Sequence, residues 1–156
     1  MTGHRETKPE ATMHGTCVAI GGRGVLILGP PGSGKSDLAL RLIDQPGRGI
    51  GRKMRGAELV SDDQVTVTRT GNRLMARAPA SLLGKLEIRG IGIAPVKTRR
   101  TVELMLAIML TEHRKIERMP EASENIDVLG IPLRAVRIDS TLASAPARVR
   151  AALDFE

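Results

Sequence analysis

The eight residues Gly29-Pro30-Pro31-Gly32-Ser33-Gly34-Lys35-Ser36 fit the pattern G-x-x-x-x-G-K-[ST], and their flanks restrict how the chain can fold around them. An apolar run, Val25-Leu26-Ile27-Leu28, precedes them, and Leu38, Leu40, Leu42 and Ile43 follow at helical spacing. A strand that breaks into a glycine loop and then a helix makes a cradle for polyphosphate. Glycines 29, 32 and 34 open φ values closed to other residues, so that successive N–H groups turn inward while the helix N-terminus adds its partial positive charge. Lys35 is placed to reach the β and γ phosphates of a nucleotide, and the hydroxyl of Ser36 to ligate Mg²⁺. The competing reading is an ordinary glycine turn before a helix. The expected fold is an α/β P-loop domain, a mixed β-sheet with flanking helices and a C-terminal helix.

The rest of the chain fits one such domain over residues 13–156, after a disordered lead-in over 1–12. His14 to Ile20 reads as a strand that Gly21-Gly22 returns as a hairpin into the strand before the loop, setting His14 and the loop toward the same end of the sheet. The helix after Ser36 stops at Gln45-Pro46-Gly47. Gly47 to Gly56 then holds Arg48, Arg52, Lys53 and Arg55 among glycines, a flexible basic loop that is either a solvated connection or a docking surface. Strands follow over Ala57 to Asp63, Gln64 to Thr70, Arg73 to Ala78 and Val102 to Leu110, with further short strands between Ile126 and Ile138. Ala143 to Leu153 reads as a terminal helix interrupted near its start by Pro146.

Composition narrows the function. Phe155 is the only aromatic residue, which leaves almost nothing to stack on nucleic-acid bases. Twenty-four basic against 17 acidic residues give a net charge of +7, which favours anionic partners. Cys17 stands alone in an apolar run, so no internal disulfide forms, a cytoplasmic setting follows most simply, and the thiol is expected to be core packing. The longest apolar run, Leu104 to Leu110, is too short to span a bilayer, and no membrane or nucleic-acid partner is expected.

Two stretches add chemistry to the loop. Val60-Ser61-Asp62-Asp63 ends a strand in two carboxylates, where one can engage a metal or its waters and the other can accept the proton of an attacking hydroxyl; an Asp-rich turn is the plainer alternative. In Leu86-Glu87-Ile88-Arg89-Gly90-Ile91-Gly92-Ile93, Glu87 and Arg89 share a side if the segment is extended, ahead of a glycine bend, which suits a phosphate and metal site or an ordinary surface ion pair. His14, taken alone, is more often structural than catalytic.

In the order His14-Gly15, P-loop, Val60 to Asp63, and Leu86 to Ile93, the chain resembles the catalytic domain of HPr kinase/phosphorylase, in the short form that consists of that domain alone. The resemblance implies an ATP- and Mg²⁺-dependent kinase that phosphorylates a serine of the phosphocarrier HPr, regulates carbohydrate metabolism through the phosphotransferase system, and assembles as a hexamer. It implies Lys35 as the loop lysine, Ser36 and Glu87 as Mg²⁺ ligands, Asp63 as proton acceptor beside Asp62, His14 as an active-site histidine and Arg118 as a catalytic arginine. Dephosphorylation by phosphorolysis belongs to the same family, but its Pro-Gly-Arg-Asn segment is replaced here by Ala145-Pro146-Ala147-Arg148. Two other readings stand beside this one: a kinase of a small metabolite, and a nucleotide-dependent module gripping nucleic acid through the Arg/Gly loop.

Overall fold

The computed structural model describes residues 8–155. In chain order its elements are β1 (Glu10–His14), β2 (Thr16–Ile20), β3 (Arg23–Leu28), α1 (Lys35–Asp44), β4 (Ala57–Ser61), β5 (Gln64–Thr70), β6 (Arg73–Arg77), β7 (Lys85–Ile88), β8 (Gly92–Pro95), β9 (Thr101–Leu110), β10 (Glu124–Val128), β11 (Ile131–Ile138) and α2 (Ala145–Asp154). Residues 1–7 of the expected lead-in lie outside the described residues. Glu10–Thr12, also expected there, instead form most of β1, which pairs with β5 from Glu10 opposite Thr68 to His14 opposite Gln64.

The expected mixed sheet is present, with nine strands, and β9 is its spine. Along one edge β9 runs parallel to β3, Leu26 opposite Ala107 and Leu28 opposite Met109. The other edge is divided: β6 lies antiparallel to Thr101–Glu103, and β11 lies parallel to Ala107–Leu110. Beyond β3 come β2 and β4, and beyond β6 come β5 and β1. The β2–β3 hairpin closes through Gly21 and Gly22, whose φ values of 55° and 80° give the left-handed pair that a two-residue turn requires.

Period-two alternation builds a core on each face. Val18, Ile20, Val25, Ile27, Leu106 and Ile108 project toward the helices and meet Leu38 and Leu42 of α1 and Val149 of α2. Cys17, Ala19, Leu26 and Ala107 project the other way, where the sheet curls over to bring in Val65, Val67, Leu74 and Ala76. Both faces of β2 are therefore sealed, and burial in this apolar core pushes the Cys17 thiol pKa far upward, as befits a packing thiol.

Three local expectations change. Pro146 stands in the first turn of α2, where its missing N–H has no intrahelical acceptor to lose, so it starts the helix rather than interrupting it. The segment from Leu86 to Ile93 is not one extended run but the β7–β8 ribbon, turned through Gly90 and Gly92. The basic loop is closed at its base by paired backbone hydrogen bonds between Gly47 and Arg55, and Arg55 is held by both carboxylate oxygens of Asp154 at 3.0 and 2.7 Å.

Candidate active site

The glycine loop is shaped by two left-handed residues, Gly32 at φ 78° and Gly34 at φ 96°. Gly34 is the N-cap of α1 and supplies no side-chain cap, while the first helical return bond runs from the Leu38 amide to the Gly34 carbonyl. The preceding amides of that turn have no intrahelical acceptor, the standard condition for an anion site at a helix N-terminus. Lys35 folds across the loop, its Nζ donating to the carbonyls of Gly29 and Pro30 at 2.7 and 3.0 Å. The hydroxyl of Ser33 is buried in the loop and finds no hydrogen-bond partner among the described residues. Behind the loop, Ser140 donates to the Ser33 carbonyl at 2.7 Å, and Arg41 of α1 donates to the carbonyls of Ser140 and Leu142 at 2.5 and 3.4 Å. The segment after β11 thus braces the loop.

Asp62 is the centre of the arrangement. Its carboxylate is buried, with Oδ1 accepting from the hydroxyls of Ser36 at 2.7 Å and Thr16 at 2.9 Å, and Oδ2 accepting from the Glu87 amide at 3.2 Å. Strand order explains the meeting: β2 lies between β3, which leads into the loop, and β4, which ends at Ser61. One residue further on, Asp63 is exposed at the tip of the β4–β5 turn with φ 69°, a left-handed conformation that Asp tolerates better than most residues. The Gly15 amide donates to the Asp63 carbonyl at 3.0 Å, and His14, exposed, is opposite Gln64. His14 and Asp63 are brought to the same corner of the sheet, beside Asp62.

Not every predicted residue arrives in the expected way. Glu87 reaches the site through its backbone N–H, while its side chain is exposed on β7. The partner the fold gives to Ser36 is Asp62. Arg118 is exposed between a short 3₁₀ turn at His113–Lys115 and β10, with no hydrogen bond to the loop among the described residues. Among the described residues no three His, Cys, Asp or Glu side chains gather as a metal site, so a cation here would rely on a hydroxyl, one or two carboxylates and the phosphates themselves, as Mg²⁺ commonly does. Sequence reasoning missed Thr16 and Ser140. Thr16 was hidden in an apolar strand; the only signal was a hydroxyl residue two positions after His14.

These features place the chain among the P-loop domains, proteins in which backbone amides and a helix N-terminus grip polyphosphate while a strand-end carboxylate steadies the loop hydroxyl. Within that class the chain belongs to the HPr Serine kinase C-terminal domain family, whose family model matches residues 5–149. It is 39% identical over 144 residues to the HPr kinase/phosphorylase of Cupriavidus metallidurans, covering 86% of this chain and 42% of that protein. It is 38% identical over 144 residues to the Ralstonia pickettii HPr kinase/phosphorylase, covering 86% and 41%. The chain thus spans less than half the length of these curated relatives. Its fold matches the solved Hpr(Ser) kinase/phosphatase from Coxiella burnetii with a TM-score of 0.75 and 27% identity, over 92% of this chain and 94% of that one.

Proposed function

We propose that this chain carries the catalytic domain of an ATP- and Mg²⁺-dependent protein kinase that phosphorylates a serine of HPr and so regulates carbohydrate metabolism through the phosphotransferase system. The observation that carries the reading is the joining of the loop serine, Ser36, to a buried strand-end carboxylate, Asp62, directly beneath the uncapped N-terminus of α1. The residues fit a nucleotide triphosphate. The loop offers unpaired first-turn amides, an ammonium now resting on loop carbonyls, and the orphaned Ser33 hydroxyl. When bound, Mg²⁺–ATP supplies the transferable γ-phosphoryl group and neutralises part of its charge.

In this reading the backbone N–H groups of Gly32 and of Gly34 to Ser36, prolines 30 and 31 having none, and the Lys35 ammonium would hold the phosphates. Ser36 and Glu87 of the β7–β8 ribbon would hold the cation, with Asp62 orienting Ser36 and engaging the ion or its waters. Asp63, projecting from the turn, takes the proton of the attacking serine hydroxyl, and His14 orients it. Arg118 is read as a charge-stabilising arginine for the phosphoryl group. The relatives' names pair kinase with phosphorylase, and the phosphorolytic reverse reaction is part of the same proposal. So are a homo-oligomeric, hexameric assembly and a cytoplasmic setting. For the last, the support is a lone buried cysteine and the lack, among the described residues, of any helix long and apolar enough to cross a membrane.

The test is incubation with HPr and labelled ATP–Mg²⁺, followed by addition of inorganic phosphate to read the reverse step. Asp63→Asn is expected to retain nucleotide binding while lowering serine phosphorylation by about 10²- to 10⁴-fold, the usual worth of a general base. Near-normal transfer by that variant would refute the role of Asp63, and transfer to a small hydroxylated metabolite instead of HPr would refute the substrate.

A further inference from the structure

We propose that Thr16 is a positioning residue for the metal end of this site, acting through Asp62 and Ser36. The inference rests on the reading of the loop as a Mg²⁺–nucleotide site, and it concerns a residue that the glycine motif, the Asp pair and the Leu86–Ile93 stretch do not include.

Thr16 has no exposed surface, so its hydroxyl had to find a protein partner or remain an unsatisfied buried group. The partner is Asp62 Oδ1, at 2.9 Å. Strand register puts it there: Thr16 is opposite Ile27 of β3, two residues before the loop opens at Gly29, and the next residue, Cys17, is opposite Ser61 of β4, next to Asp62. The hydroxyl is therefore built between the loop-bearing strand and the carboxylate-bearing strand.

Its effect follows from counting donors. Oδ1 of Asp62 receives two hydroxyl hydrogens, from Thr16 and from Ser36, and Oδ2 receives the Glu87 amide. Ser36 has a single hydroxyl hydrogen, and giving it to Asp62 leaves both oxygen lone pairs for the loop side, the orientation that a hydroxyl ligand to a cation needs. That orientation holds only while Oδ1 stays in place. The Glu87 amide fixes the opposite oxygen, and Ser36 is the group being oriented. Thr16 is thus the independent anchor on the oxygen that matters, in the manner of outer-shell partners that aim metal ligands without touching the metal.

The experiment compares wild type, Thr16→Val and Thr16→Ser by calorimetric titration with ADP, once with MgCl₂ and once with a chelator, alongside thermal unfolding of each free protein. Thr16→Val keeps the shape and removes the donor. It should weaken ADP binding in MgCl₂ by about 10-fold or more, the lower end of typical outer-shell losses, and leave binding in chelator unchanged. Thr16→Ser, which keeps the hydroxyl, should restore the wild-type difference between the two buffers. Thr16→Ala repeats the comparison should Thr16→Val fail to fold. Equal binding by wild type and Thr16→Val in MgCl₂ overturns the proposal, as does an equal loss in both buffers or a serine variant that behaves like valine. Failure of the nucleotide-site reading would look different, because the wild type itself would then bind ADP in neither buffer.

Discussion

Arg150 is a cation buried to 2% exposure with no carboxylate among its hydrogen-bond partners in the described residues, and its environment explains why it is tolerated. Its guanidinium donates to the carbonyls of Leu42 and Gln45 at 3.0 Å each, at the C-terminal end of α1, and to the Arg55 carbonyl at 3.2 Å. The last carbonyls of a helix lack intrahelical donors and carry partial negative charge, so a planar donor fork satisfies them and their dipoles favour its charge. Burial, and secondarily the neighbouring Arg55 cation, lowers the pKa of Arg150, yet an arginine remains protonated. Arg150→Met keeps much of the packing and removes the donors. It is expected to destabilise the fold by about 2–4 kcal/mol, read as a lower midpoint in a denaturant titration, because several buried carbonyls lose their partner together. The role of Arg150 was not legible in the sequence, where it stands in an Ala-rich helix like any surface arginine. The same is true of Thr16 and of the Glu87 amide: a strand hydroxyl looks like core filler, and a backbone N–H has no letter of its own.

Elements were far more legible, because alternation and turn chemistry are local. The β2–β3 hairpin, α1 and the β5–β6 hairpin follow from period-two or helical spacing bounded by Gly or Pro, and β9 from a nearly continuous apolar run. β1 escaped because it is a half-buried edge strand, its residues alternating between exposed and partly covered, and it matters only once β5 offers it a partner. The tether at the end of the basic loop was not legible because Asp154, which holds Arg55, lies about a hundred residues further along the chain. One glycine is decisive between elements. Gly24 lies where the pairing of β3 with β9 slips register, and a Cβ there would stand 2.5 Å from the Glu103 carbonyl oxygen and 2.8 Å from Val102 Cγ1. Gly24→Ala is expected to cost about 1–3 kcal/mol by overpacking, shifting the urea midpoint while leaving the slope unchanged.

For the whole molecule, α2, the sheet and the basic loop are fastened at one point far from the glycine loop. Asp154, at the end of α2, pairs with Arg23 at the start of β3 at 3.1 Å and with Arg55 at 2.7 Å. Burial is the largest single influence on its carboxyl and raises the pKa, but the hydrogen bonds and charges of the two arginines together outweigh it and hold the pKa below the ordinary 3.8. A carboxyl whose folded pKa lies below its unfolded one adds stability above the unfolded value and loses it as pH falls through the folded value. Asp154→Asn is therefore expected to be less stable than wild type at neutral pH and to converge with it below pH 4, measured by thermal unfolding across that range; parallel curves would contradict the linkage.

The divided edge of β9 has a consequence for how the molecule comes into being. The strand that leads into the glycine loop, β3, has β2 beside it early, but its other neighbour is residues 104–109 of β9, and β9 in turn pairs with residues 135–138 of β11. Parallel pairing over such a separation forms slowly, since a long loop must close before the contact rewards it. On a ribosome, synthesis must run on from Leu28 to Met109 before β3 is enclosed on both sides. A nascent chain therefore carries the whole GPPGSGKS motif long before it carries the enclosed strand that presents it, and nucleotide cannot help to fold β2, β3 and α1 around itself before β9 emerges.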